Sequence, residues 1–436
     1  MDYAYIVIAV TALLGLYMAW NIGANDVANS MADAVGSKSI SIKHAIIAAA
    51  ICEFAGAVLV GSHVTDTVRK GIVDPASLPA AEVVLGMACA LLAAALWLHL
   101  ATWLSMPVST THSIVGAVTG FGLVAAGWGA VHWGKLGQIV LSWFVSPLTG
   151  GLLAFILFKV ISKLILGKAR PARAAVRFTP YVVFVMTVVV VLGTVYKGLK
   201  HVHMPWLDGD RSFIVALVLG LCAALLSRTL IRRRLSAFKT APLPQQLEQV
   251  ERAYAPLVVL TSCSVAFAHG ANDVANSIGP LAAVAEIVLS GDVQAKVPVP
   301  LWVLALGGCG IAAGLATYGY RVMSTVGSKI TQLTPTRGVA ADIAATAVVL
   351  FCSRLKLPVS TTHVLVGAIM GVGFARGLGA VNRRVTRNIF ASWLVTVPAA
   401  ALLAVVLFVL TRPFLLGFLK GVITSAGSGP AGPLPG

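Results

Sequence analysis

The octapeptide Gly23-Ala24-Asn25-Asp26-Val27-Ala28-Asn29-Ser30 returns unchanged as Gly270-Ala271-Asn272-Asp273-Val274-Ala275-Asn276-Ser277, and both copies lie inside long apolar stretches. After similar intervals each is followed by a second shared string, Pro107-Val108-Ser109-Thr110-Thr111-His112 and Pro358-Val359-Ser360-Thr361-Thr362-His363. Two motifs repeating in one order mark an internal duplication. The chain is therefore built from two related units, and the strings they share are the most polar parts of an oily sequence.

Apolar runs near the roughly 20 residues needed to cross a bilayer recur along nearly the whole chain. With 58% hydrophobic residues, 11% charged ones and a mean hydropathy of +0.91, the composition excludes a water-soluble protein. The start, Met1-Asp2-Tyr3-Ala4, lacks the basic segment of a cleaved signal peptide. A net charge of +17 would suit nucleic acid, but the cations form short clusters between apolar spans. They read as cytoplasmic anchors, so the lipid bilayer is the expected partner and no nucleic acid is expected. Cys52, Cys89, Cys222, Cys263, Cys309 and Cys352 lack metal-ligand spacing and read as packing residues.

The expected fold is an all-α polytopic membrane protein with two inverted repeats, two re-entrant helical hairpins and broken helices. The first repeat covers residues 1–166. Spacer spans and a basic linker occupy 167–253, a second repeat 254–420, and a Gly/Pro-rich, disordered tail 421–436. Each octapeptide region, such as residues 4–36, is too long for one upright crossing and is counted as two segments. Five segments per repeat and two spacers (Tyr181 to Tyr196, Phe213 to Ile231) total about 12. The short Gly-rich stretches Ile114 to Gly127 and Val359 to Phe374 suit the hairpins. Cations at Lys159, Lys163, Lys168, Arg170, Arg173 and Arg177, and again from Arg228 to Arg252, mark cytoplasmic loops. Arg376, Arg383, Arg384 and Arg387 mark another, whereas the matching loop of the first repeat has little beyond Lys135. The repeats are thus expected to be inverted, with both termini outside.

A charged side chain at the bilayer centre costs roughly 2.5 to 3.5 kcal/mol on insertion scales, so Asp26 and Asp273 need a function or a partner. Asn25, Asn29, Asn272 and Asn276 surround them with amide oxygens, and Gly23 suits a helix break that exposes carbonyls. Hard oxygen ligands of this kind fit an alkali cation, with Asp26 and Asp273 the Na⁺ candidates. Hydrogen-bonded clamps between packed helices are the structural alternative. In the second motif, a proline followed by Ser109, Thr110 and Thr111, matched by Ser360, Thr361 and Thr362, offers hydroxyls and free N–H groups at a helix start. That is a cradle for a tetrahedral oxyanion. Glu53 and Asp342 are lone acids within apolar spans and are further cation candidates. His112 and His363 read as structural, while His269, facing Ile22 in the other copy, reads as outlying.

These duplicated strings resemble the signatures of the PiT family of inorganic phosphate transporters, cation-coupled symporters with inverted repeats. The resemblance covers roughly residues 1–166 and 254–420. It implies that Asn25, Asp26, Ser109, Thr110, Thr111 and their counterparts Asn272, Asp273, Ser360, Thr361, Thr362 contribute to phosphate and cation sites. It implies an essential intramembrane acid at Glu53, and Asp342 stands where many members have Glu. The short linker fits a bacterial-type member in the inner (plasma) membrane. The expected function is import of inorganic phosphate with Na⁺ or H⁺ by alternating access at a midplane site, without an enzymatic activity or cofactor. A sulfate permease of the same fold is one alternative, since sulfate is also tetrahedral. A membrane hydrolase using Ser109 with His112 is another. The sequence leaves a homo-oligomer open.

Overall fold

The computed structural model describes residues 3–61, 72–73, 77–198, 209–291, 293, 300–355 and 359–427. Arg69, Lys70, Pro358 and residues 428–436 of the expected tail lie outside them. The described part of that tail, through Gly427, continues the last helix.

Among the described residues the fold is helical, with no strand, and ten helices are long and apolar enough to cross a membrane. In the first repeat α1 is Tyr3–Ile22, the short α2 is Ala32–Gly36, α3 is Ile42–Val60, α4 is Ala80–Trp103, α5 is Thr110–Ala126 and α6 is Trp133–Ile161. The spacer helices are α7, Pro171–Gly198, and α8, Gly209–Leu235. The second repeat holds α9 (Leu243–Ser290), α10 (Leu301–Tyr318), α11 (Tyr320–Lys329), α12 (Pro335–Arg354), α13 (Thr361–Arg376) and α14 (Arg383–Gly427). The polar linker is largely helical, since α8 runs to Leu235 and α9 starts at Leu243.

The octapeptides do not divide their helices into two crossings, which corrects the expected helix breaks. The first copy sits in a π-helical turn, Gly23–Val27, that carries α1 onward through Ser30. The second lies in uninterrupted α-helix inside α9. Packing supplies the reason: a Cβ on Gly23 would sit 1.9 Å from the carbonyl oxygen of Ile311 on α10, and one on Gly270 would sit 2.2 Å from that of Glu53 on α3. The small residues bring neighbouring helices into close contact, rather than ending their own helix. Identical residues thus adopt two backbone forms, and the surrounding contacts decide which. The π-turn is the form often found at functional sites.

Ten spans replace the counted segments, but the five helices per repeat survive because α5 and α13 make up the number. Each is the second arm of a hairpin whose first arm is the preceding helix, α4 or α12, and residues 107–109 in the first and 359–360 in the second lie at the tip, just before the returning helix. Ser109 and Ser360 cap the returning arms, their Oγ atoms accepting from the backbone N–H of His112 and His363 at 3.2 Å. Counting a hairpin as two crossings or none leaves parity unchanged. Among the described residues, the helices long enough to cross, with α4 counted as part of its hairpin, give an odd number of passages before α9 begins, which is what inversion requires.

The repeats exchange partners. Helix α5 packs on α14 of the other repeat and α13 packs on α6. A Cβ on Gly120 would sit 2.5 Å from the carbonyl oxygen of Ala401, and one on Gly371 would sit 1.9 Å from that of Gly151. Such reciprocal contacts are those of a pseudo-two-fold relation. They bury the hairpins at the centre: in its most apolar window α4 is 67% buried, against 22% for α14, whose Leu394, Leu402, Leu410 and Phe414 face outward. Apolar side chains so exposed suit contact with lipid.

Candidate functional site

The two octapeptide helices and the two hairpin tips meet in one buried cluster. Asn25 secures the first tip: its Nδ2 donates to Thr102 Oγ1 at 2.8 Å and to the Met106 carbonyl at 3.0 Å, and its Oδ1 accepts from Val108 N–H at 3.0 Å. Asn272 secures the second by donating to the Val359 carbonyl at 3.1 Å. Next along each helix, Asp26 accepts from Thr110 Oγ1 at 2.8 Å, and Asp273 accepts from Thr361 Oγ1 at 2.7 Å. Each carboxylate therefore faces the first turn of its own repeat's returning helix.

The asparagines one turn further cross between repeats. Asn29 Nδ2 donates to Thr362 Oγ1 at 2.7 Å, and Asn276 Nδ2 donates to Thr111 Oγ1 at 3.1 Å and Thr110 Oγ1 at 3.2 Å. Thr111 Oγ1 also lies 3.3 Å from Asp273 Oδ1. Within a helix the spacing Asn25, Asp26, Asn29 puts these side chains on one face. That face would be costly against lipid; here the hairpins satisfy it.

His269, which the sequence reading set aside, is central. Its Nε2 lies 2.7 Å from Asp273 Oδ2 and 3.8 Å from Asp26 Oδ2, and its Nδ1 lies 2.9 Å from Glu53 Oε2. One turn of α9 separates His269 from Asp273, and the i, i+4 spacing was the available signal. The duplication hid it, because Ile22 holds the equivalent place in the first copy. Glu53 reaches the cluster from α3, while Asp342 does not: it accepts from Thr261 Oγ1 and Ser262 Oγ, each at 2.7 Å, in a separate place.

A matching ligand atom from each of Asp26, His269 and Asp273 lies within 4.8 Å of the others, close enough to hold one ion between them. His269, even as an imidazolium, offsets only one of the three carboxylates around it. Among the described residues no Lys or Arg pairs with Asp26, Glu53 or Asp273. Buried charge of one sign costs several kcal/mol per ion unless something neutralises it.

His363 stacks on Trp393 at a ring-centroid separation of 3.5 Å, His112 packs against Trp143 at 3.6 Å with the rings tilted by 32°, and the two histidines lie 4.2 Å from each other. Ser109 Oγ is engaged by the backbone of His112, and neither ring nitrogen of His112 has a hydrogen-bond partner. There is no nucleophile–base pair here, which removes the geometric basis of a hydrolase.

A sequence model described as the phosphate transporter family matches residues 22–404, most of the chain and both motif pairs. The chain belongs to the phosphate transporter family. It is 48% identical over 399 residues to a protein of Pyrococcus abyssi named for phosphate permease activity, covering 91% of this chain and 96% of that one. With the chloroplastic inorganic phosphate transporter 2-1 of Arabidopsis thaliana it shares 44% identity over 426 residues, covering 91% of this chain and 70% of the relative. Among solved structures, one described as the sodium-dependent phosphate transporter superposes with a TM-score of 0.86 at 41% identity, covering 94% of this chain and all of that one. Membership makes this integral membrane protein a phosphate transporter, not an enzyme. For a phosphate transporter, threonine hydroxyls and helix N-termini from two hairpins are the donors an oxyanion needs.

Proposed function

We propose that the protein imports inorganic phosphate by symport with Na⁺, using the Asp26–Asp273 cluster as the coupling site. The observation that carries this reading is the imbalance at its centre: three buried carboxyl side chains, Asp26, Glu53 and Asp273, surround one histidine. Such a site attracts cations, and an anion brought beside it needs them. The sodium dependence named for the solved relative at 41% identity favours Na⁺ over H⁺.

The geometry supports a simple exchange. Thr110 and Thr361 now donate to Asp26 and Asp273. A cation on those carboxylate oxygens would free both hydroxyls to turn toward phosphate. The backbone N–H groups of the first turns of α5 and α13 would add further donors. Asn29 and Asn276, which bond across the repeats, would then sense occupancy of both halves. Alternating access follows if the two hairpin units rock against each other around this shared centre.

Membrane placement follows from the cation clusters, with the α6–α7 and α8–α9 junctions inside and both termini outside. In a bacterial cell this is the plasma membrane. Hydrogenphosphate can donate a hydrogen bond to a carboxylate and sulfate cannot, which favours phosphate at a carboxylate-rich site.

Uptake of labelled phosphate into proteoliposomes, with Na⁺ and pH gradients imposed separately, tests the coupling ion. An inward Na⁺ gradient should drive accumulation at matched pH. Accumulation driven by the pH gradient alone, unaffected by Na⁺, would assign the coupling to protons.

A further inference from the structure

From Lys159 to Arg177 the chain carries six Lys and Arg residues and no acid. Such charge marks a cytoplasmic junction, but part of it is ordered beyond what anchoring needs. On α7, Arg173, Arg177, Tyr181 and Val185 recur at every fourth position and so stand in line on one face. The line passes from two cations at the cytoplasmic end, through a tyrosine, into apolar helix. Among the described residues no Asp or Glu pairs with either arginine.

Beside that line lies a slot of about 430 Å³. One wall is Leu157 and Ile161 of α6 with Ile165 of the π-helical turn that continues it, Ser162–Leu166, again at every fourth position. The other wall is Arg177, Tyr181 and Val185 of α7, and Ala340 and Ile343 of α12 close the back. Eight residues of helix make the slot about 12 Å long, parallel to the helices. Ile161, Ile165, Ala340 and Ile343 are buried, whereas Val160, Tyr181 and Val185 at the rim are exposed, so the slot opens sideways toward lipid. At its cytoplasmic end the Arg177 guanidinium carbon lies 5.4 Å from the centre of the Phe178 ring, a cation–π contact that holds the charge at the mouth.

We propose that this slot binds one anionic phospholipid of the cytoplasmic leaflet, an acyl chain lying along the apolar walls and the phosphate against Arg173 and Arg177. Tyr181, between the two, sets a hydroxyl at headgroup depth. The two ends select the ligand together. Free phosphate would meet the arginines and leave the slot empty; a zwitterionic lipid would fill the slot but bring its own cation to a mouth that has no acid. Because the slot joins α6 of the first repeat, α12 of the second and the spacer helix α7, the lipid would tie the spacer to both repeats.

Native mass spectrometry of the purified full-length protein in detergent, titrated with phosphatidylglycerol or with phosphatidylcholine of the same chains, tests this without any transport step. One phosphatidylglycerol should be retained in preference to phosphatidylcholine by about tenfold or more. Arg177→Gln should weaken that retention about fivefold, the equivalent of one cation lost near a membrane surface. Val182→Trp, at a position that lines the slot, adds bulk there, keeps every cation and should weaken retention at least as much. Excess inorganic phosphate should displace nothing. Equal retention of the two lipids, wild-type retention in either variant, or displacement by inorganic phosphate would overturn the proposal. So would a wild-type dimer that retains no lipid and that Val182→Trp abolishes, since the slot would then belong to a second copy of the chain.

Discussion

The Nδ1 atom of His269 lies 2.9 Å from Glu53 Oε2, so a histidine of the second repeat is held by an acid of the first. On the opposite edge of the same ring, Nε2 meets Asp273 at 2.7 Å. The imidazole is a bridge between repeats at the place where the half-sites meet, and it has no symmetry mate.

Removing that bridge should impair transport more than it impairs folding. A hydrogen bond to a charged group contributes about 1.5–3 kcal/mol, which corresponds to a change of roughly tenfold or more. His269→Gln should therefore lower the rate of phosphate uptake by about tenfold while the protein still purifies as a monodisperse species. Uptake within twofold of wild type would show that the bridge is dispensable.

The two aspartates should not be equivalent. Asp273 accepts from Thr361, lies against His269 at 2.7 Å, and also meets Thr111 and Asn276. Asp26 accepts from Thr110, while His269 stands off at 3.8 Å. Na⁺-driven accumulation should therefore be lost in Asp273→Asn, whereas Asp26→Asn should keep a reduced rate with a raised half-maximal Na⁺ concentration. The reverse order would contradict the asymmetry.

Cross-repeat bonds offer a matched pair of double-mutant cycles. Asn29 with Thr362, and Asn276 with Thr111, are related by the duplication and differ in length, 2.7 against 3.1 Å. Combining Asn29→Ala with Thr362→Val should reveal a coupling of about 0.5–1.5 kcal/mol in denaturation, and the second cycle a similar or smaller value. Additive effects in both cycles would mean that these contacts do not hold the repeats together.

Packing between repeats can be tested away from the site. A methyl group at Gly371 would meet the Gly151 carbonyl oxygen at 1.9 Å, so α13 and α6 must separate to admit it. Gly371→Ala should cost about 1–3 kcal/mol, visible as a lower melting temperature. Gly379→Ala, with nothing within 4 Å of its added carbon, should melt as wild type does.

Much of this site is legible in sequence because duplication singles out residues that lipid would not tolerate. Asn25, Asp26, Asn29, their counterparts and the threonines of both hexapeptides all reach one cluster. The misread parts have physical causes. Gly23 and Gly270 look like helix breakers until the backbones packed against them are known; with Ile311 and Glu53 in contact, they permit close crossing. His269 exists in one copy only, so repetition could not reveal it. Asp342 resembled Glu53 as a lone acid in an apolar span, yet only Glu53 faces the octapeptides.

The central claim is that the carboxylates of both octapeptides hold the cation that admits phosphate. Na⁺-activated uptake of labelled phosphate by proteoliposomes carrying Asp273→Asn measures this most directly. Loss of Na⁺-driven accumulation, with the folded protein intact, is the predicted result. Accumulation at the wild-type rate and with wild-type Na⁺ dependence would contradict it.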